Sequence, residues 1–128
     1  MVCLDTSFLI DVLQARESAQ ELMVELDEQE RRPAVTPVTA SELWVGANLG
    51  SDEEYEATRN LLATLTWLDI TRPCARRAGA IQASLKRGGN PLGFADCLIA
   101  ATAIEHDQTL VTGDEDFEWV PDLRIRTY

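Results

Sequence analysis

The chain has 128 residues, 45% of them hydrophobic and 26% charged, which suits one soluble domain with one core and not two. Its longest apolar stretch, Phe94 to Ile104, is interrupted by Asp96 and falls short of the roughly 20 residues that cross a bilayer, so no membrane segment is expected. The formal net charge of −11 argues against a uniformly basic nucleic-acid-binding surface and leaves any such contact to a local basic patch.

In chain order, Val2 to Asp5 is a short continuous apolar run closing on an acid, consistent with a buried parallel strand. Met1 leads straight into it, without the basic and then apolar layout of a secretory signal, which predicts a cytoplasmic protein. Ser7 to Gln14 reads as a short helix with Phe8, Ile10 and Val12/Leu13 as its apolar residues. Glu17 to Glu30 reads as a longer one, ended by Arg31, Arg32 and Pro33. Ala34 to Val38 is the expected second strand, stopped early or bent by Pro37. Thr39 opens a helix through Asn48, with Gly50 as its stop.

A further helix runs from Asp52 to Leu65, where Tyr55, Arg59, Leu62 and Leu65 share a stripe that could meet a second copy of the chain. Trp67 to Ile70 is the third strand. Thr71 is the expected N-cap, with Pro73 in the first turn, of a helix reaching Arg87. Gly88 to Gly93 is the strongest loop signal. The helix from Phe94 to His106 is apolar nearly all round and so should be central. Thr109 to Thr112 is a fourth strand, Asp114 to Phe117 a turn or short helix, and Leu123 to Thr127 a last strand. Strands alternating with helices predict a three-layer α/β/α sandwich around a parallel sheet of about five strands, with residues 1–128 as a single domain.

Cys3, Cys74 and Cys97 are odd in number, far apart and placed in strands or helices, so they read as small buried hydrophobes rather than disulfides or a zinc site. His106, the only histidine, falls near a helix end and suits a surface or capping role. Ten of the eleven basic residues are arginine, and Arg72, Arg76, Arg77, Lys86 and Arg87 fall in one segment. That segment could line a groove beside an acidic site or be an ordinary solvated helix face. The acidic, lysine-poor balance also fits a protein that works in high salt.

Four acids stand where apolar runs give way to helices: Asp5 in VCLDTS, Glu42 in TASELWVGA, Asp96 in GFADCLIAATA and Asp114 in LVTGDEDF. Each alone is explained by helix capping or the helix dipole. Glu42, three residues after Thr39, also matches a capping box. Asp5 is harder to dismiss, because the carboxyl end of a strand is where open α/β sheets bind ligands. On the helix of Asp96, the same-face Ala100 and Ala103 are small and could leave room for a cation and substrate. Carboxylates gathered without histidine or thiolate suit a hard cation such as Mg²⁺ or Mn²⁺, and the chemistry suggested is metal-assisted phosphodiester hydrolysis.

Asp5-Thr6-Ser7, Ser41-Glu42-Leu43 with Gly46 and Ala47, Gly93 through Asp96 with Leu98-Ile99-Ala100-Ala101, and Thr112 through Phe117 together resemble a PIN domain. Within it, the chain is similar to the VapC-type ribonuclease toxins of toxin–antitoxin pairs. The resemblance covers essentially the whole chain. It implies that Asp5, Glu42, Asp96 and Asp114 hold one or two Mg²⁺ or Mn²⁺ ions and cut RNA, with Asp116 a supporting acid. It also implies Thr6, Ser7 and Thr112 as hydroxyls orienting carboxylates or water, a homodimer, and a small antitoxin from a neighbouring gene as partner. The alternatives are an RNA-processing nuclease outside such a pair, or a non-catalytic PIN-like module that binds RNA or protein. Phosphatase and receiver domains of similar architecture fit less well, since Ser7 stands where the former needs a second Asp and Lys86 lies in a helix.

Overall fold

The computed structural model describes residues 1–29 and 32–128. The expected end of the second helix at Glu30, and Arg31 of its stop, lie outside the described residues. Five strands, β1 (Val2–Leu4), β2 (Ala34–Val35), β3 (Thr66–Trp67), β4 (Thr109–Val111) and β5 (Ile125–Arg126), pair in the order β3-β2-β1-β4-β5. All pairs are parallel. The helices are α1 (Thr6–Leu13), α2 (Glu17–Glu28), α3 (Pro37–Leu49), α4 (Asp52–Ala63), α5 (Arg72–Arg87) and α6 (Phe94–Glu105), with a 3₁₀ turn at Glu115–Trp119.

The register explains the layering. Cys3 pairs with Ala34 and Leu110, and all three point to one face; Leu4 pairs with Val111, and these point with Val35 to the other. On the first face α5 and α6 cover the sheet with Ala78, Ile81, Leu85, Cys97 and Ile99. On the second, α1 to α4 cover it with Phe8, Leu9, Leu22, Leu26, Leu43 and Leu62. Every core strand position is therefore apolar whichever way it points, which is why these strands read as continuous hydrophobic runs. Cys3, Cys74 and Cys97 are all free and buried, as expected.

Three local expectations need correction. The helix after β2 begins at Pro37 and not at Thr39, because proline's fixed φ and missing N–H suit the first helical position. Thr36 is its N-cap and accepts from Thr39 N at 3.2 Å, so the Thr39–Glu42 capping box does not form and Glu42 is left for other partners. The third strand is Thr66–Trp67, not Trp67 to Ile70: Leu68 turns into the core, and both residues of this edge strand are exposed. In the stripe that starts on α4, Leu62 and Leu65 are core residues, which removes them from any contact face; Tyr55 and Arg59 remain outside, Tyr55 tilted against Trp44 at 5.1 Å.

Thr71 caps α5 as expected, accepting from Cys74 N. His106 is the C-cap of α6, and its Nε2 lies 2.8 Å from the Asp69 carbonyl. Because Thr36 is fully buried and holds the start of α3, Thr36→Ala is expected to cost about 1–2 kcal/mol, read as a shifted urea midpoint at unchanged slope.

Candidate metal centre

The strand order reverses between β1 and β4, since the chain winds outward from β1 through β2 to β3 and then returns to lay β4 on the opposite edge. The crevice beyond the carboxyl ends of these two strands is the switch point of the sheet. Asp5 directly follows β1 and is the N-cap of α1; its amide donates to Val111 O at 2.9 Å, which fixes it beside the end of β4.

The Asp5 carboxylate is only 2% exposed. Its Oδ2 accepts from Thr112 Oγ1 at 2.7 Å and from Ser7 Oγ at 3.0 Å. Burial pushes its pKa up, the hydrogen bonds from Thr112, Ser7 and the Thr6 backbone pull it down, and the charge of Glu42 raises it again. The other oxygen, Oδ1, is buried without a hydrogen-bond partner. A buried acceptor left unpaired is costly and calls for an explanation, of which a cation is one.

The remaining acids reach the crevice from three elements. Glu42, exposed on α3, accepts from Thr6 Oγ1 at 2.7 Å, and that hydroxyl also lies 3.1 Å from Thr39 Oγ1. Asp114 caps the 3₁₀ turn by accepting from Asp116 N at 2.9 Å, while its own N–H donates to Thr112 Oγ1 at 3.0 Å. The single Thr112 hydroxyl thus links Asp5 to Asp114. Asp96 stands half-buried in the first turn of α6. Burial first, then the charges of Asp5, Glu42, Asp114 and Asp116, push its carboxyl up to about 6. All five acids therefore share one electrostatic neighbourhood. Among the described residues, no three His, Cys, Asp or Glu side chains already stand at ligand spacing around one point; the carboxylates are gathered but spread.

The donor chemistry fits a hard cation. His106 is at the far end of α6, and the Cys97 thiol next to Asp96 is buried, with burial and the Asp96 charge pushing its pKa up. Among the described residues, the side chains hydrogen-bonded to Asp5 and Glu42 are hydroxyls, and one Asp5 carboxylate oxygen is buried and orphaned.

One expectation changes here. Ala100 and Ala103 are fully buried in the core under the sheet, so their small size serves close helix packing rather than an open site. Of the two readings of the arginine-rich segment, exposure favours the solvated face: Arg72, Arg76, Lys86 and Arg87 are exposed, and Arg77 pairs with Glu105 at 2.7 Å. Lys86 alone makes its charge felt at Cys97, beside Asp96. Thr39, Asp11 and Tyr128 lie near the site without a sequence signal for it; the first looked like a cap, and no local pattern marks the other two.

Parallel strands, helices on both faces and carboxylates gathered at the switch point define an α/β domain with an acidic crevice. The chain belongs to the PIN domain family, whose model matches residues 2–123. It is 28% identical to ribonuclease VapC19 of Mycobacterium tuberculosis over 97% of this chain and 98% of that protein. Its fold matches the DNA-bound VapBC of Salmonella typhimurium with a TM-score of 0.88 at 26% identity, covering 99% of this chain and 98% of that one. A toxin–antitoxin complex from Klebsiella pneumoniae matches with a TM-score of 0.77 at 28% identity, covering 96% and 95%.

Proposed function

We propose that this chain is a metal-dependent endoribonuclease and the toxin of a toxin–antitoxin pair. Asp5, Glu42, Asp96 and Asp114 would hold one or two Mg²⁺ or Mn²⁺ ions, with Asp116 in support. The observation that carries the reading is Asp5, a buried carboxylate oriented by two hydroxyls with one oxygen left unpaired, in one electrostatic neighbourhood with four further acids. Ribonuclease activity is supported by family membership and by similarity to VapC19 along nearly its whole length. An antitoxin partner is supported by the likeness to a toxin–antitoxin complex.

A divalent cation, when bound, lowers the pKa of water and offsets charge developing on a phosphate. The chain's own groups prepare for this. Thr112 and Ser7 fix the orientation of Asp5, Thr6 holds Glu42, and Thr112 ties the Asp114 turn to the same point. With no histidine in the crevice, proton transfer falls to a carboxylate or to solvent. RNA as substrate, the cytoplasm as location and a homodimer as assembly belong to the same proposal. No helix among the described residues is long and apolar enough to cross a membrane. Val45 and Leu49, 62% and 84% exposed on α3, offer apolar surface to a second copy.

Thr112→Val keeps the shape but removes the donor to Asp5 and the acceptor for Asp114 N. Cleavage is expected to fall by about 10–100-fold with the fold intact, as measured by initial rates on one RNA substrate and by circular dichroism. The biological reading is tested by expressing the chain alone and together with the small gene beside it. Growth arrest that Asp5→Asn abolishes and the neighbour relieves is expected. Harmless expression of a protein that still cuts RNA would move the reading to an RNA-processing nuclease.

A further inference from the structure

Gly113 joins β4 to the 3₁₀ turn, and its N–H donates to Ser7 Oγ at 3.2 Å, the same hydroxyl that donates to Asp5. Against this turn stands a ring brought from far along the chain. Tyr128 packs edge-on against Phe8, with centroids 4.7 Å apart and planes at 75°. Its hydroxyl donates to Asp11 Oδ2, and Asp11 is paired through Oδ1 with Arg16 Nε at 3.1 Å. α1 therefore grips the ring at two points. A Cβ placed on Gly113 would lie 2.9 Å from Tyr128 Oη and 3.4 Å from Cζ, so the anchored ring leaves no room for a methyl group. Glycine is needed here for close approach rather than for an unusual backbone angle.

We propose that Tyr128 is a positioning residue of the acidic site: its ring is the wall that seats the Gly113–Asp114 turn on Ser7 and so fixes that turn over Asp5. α1 then holds the turn twice, directly through Ser7 and indirectly through the ring that Phe8 and Asp11 immobilise. Ser7, Gly113, Asp114, Asp116 and Tyr128 line one crevice of about 580 Å³, so a shift of the ring is felt where two of the acids stand. Only the affinity for metal rests on reading the acids as a metal site; the seating itself does not.

The test compares full-length wild type with Tyr128→Ala and Tyr128→Phe, free of metal, by amide hydrogen exchange, with unfolding followed in parallel. In Tyr128→Ala the amides of Gly113 and Asp114 are expected to exchange at least about tenfold faster, while those of Cys3 and Leu110 in the sheet keep their rates. Tyr128→Phe, which keeps the ring, stays near wild type at both. Affinity for Mn²⁺ alone, by titration, is expected to weaken about tenfold in Tyr128→Ala. Gly113→Ala should reproduce the exchange signature, and adding it to Tyr128→Ala should change little, because the clash has gone. Should Tyr128→Ala fail to fold, Tyr128→Leu, which removes the planar ring but keeps apolar bulk against Phe8, is read at the same amides. Wild-type exchange at Gly113 and Asp114, or a uniform acceleration across the sheet, would overturn the proposal. If wild type takes up no Mn²⁺, the metal reading falls, and the amide comparison still decides the role of the ring.

Discussion

Asp5→Asn and Asp96→Asn are each expected to lower RNA cleavage by on the order of a thousandfold, beyond the 10–100-fold typical of a supporting residue, while leaving the fold in place. Among the described residues, Asp5 has the one carboxylate oxygen that is buried and unpaired, and an amide in its place puts a donor where a cation needs an acceptor. Among the described residues the Asp96 side chain makes no hydrogen bond, and burial first, then the repulsion of four acids, pushes its pKa up to about 6. A carboxyl raised from 3.8 to about 6 contributes stability below pH 3.8 and loses it as the pH rises through 6. Without added cation, Asp96→Asn should therefore melt above wild type at pH 7, and the gap should close as the pH falls toward 4. Thermal melts of both proteins at pH 5 and 7, with and without Mn²⁺, check the sign; a variant less stable than wild type at pH 7 without metal would show that the acids do not repel as argued.

Phe8→Ala should be strongly destabilising, at about 3–5 kcal/mol by urea unfolding. Phe8 is fully buried among Leu4, Leu9, Val35 and Val111 and also backs the Tyr128 ring. Against the roughly 5–15 kcal/mol total of a typical domain, that loss leaves little folded population to spare. Phe8→Leu, which keeps most of the volume, should cost under about 1.5 kcal/mol. A loss below about 1 kcal/mol for Phe8→Ala would mean that the helices on this face close over the gap.

The central strands were legible because they are buried on both faces, so that Val2 to Leu4 and Leu110 to Val111 appear as unbroken apolar runs followed by acids or hydroxyls. The cap at Thr71 was legible because its chemistry is local. Pro37 misled because proline ends a strand and also opens a helix, and only the geometry at Thr36 shows the second use. Ala100 and Ala103 misled for a similar reason: a small residue can leave space for a ligand or allow close packing, and burial decides. Leu62 and Leu65 shared a stripe with Tyr55, yet the neighbouring helices cover the first two and not the third. The Tyr128 contact with Asp11 spans 117 positions and leaves no periodic or motif signal, so it had to be found in space.

The central claim is a carboxylate-held cation that cuts RNA, and its most direct test is cleavage of a mixed structured RNA by purified protein with Mg²⁺ or Mn²⁺ against EDTA, with Asp5→Asn alongside. Cutting that requires the metal and disappears in Asp5→Asn is the predicted result. Cutting that survives EDTA, or that persists undiminished in Asp5→Asn, would contradict it.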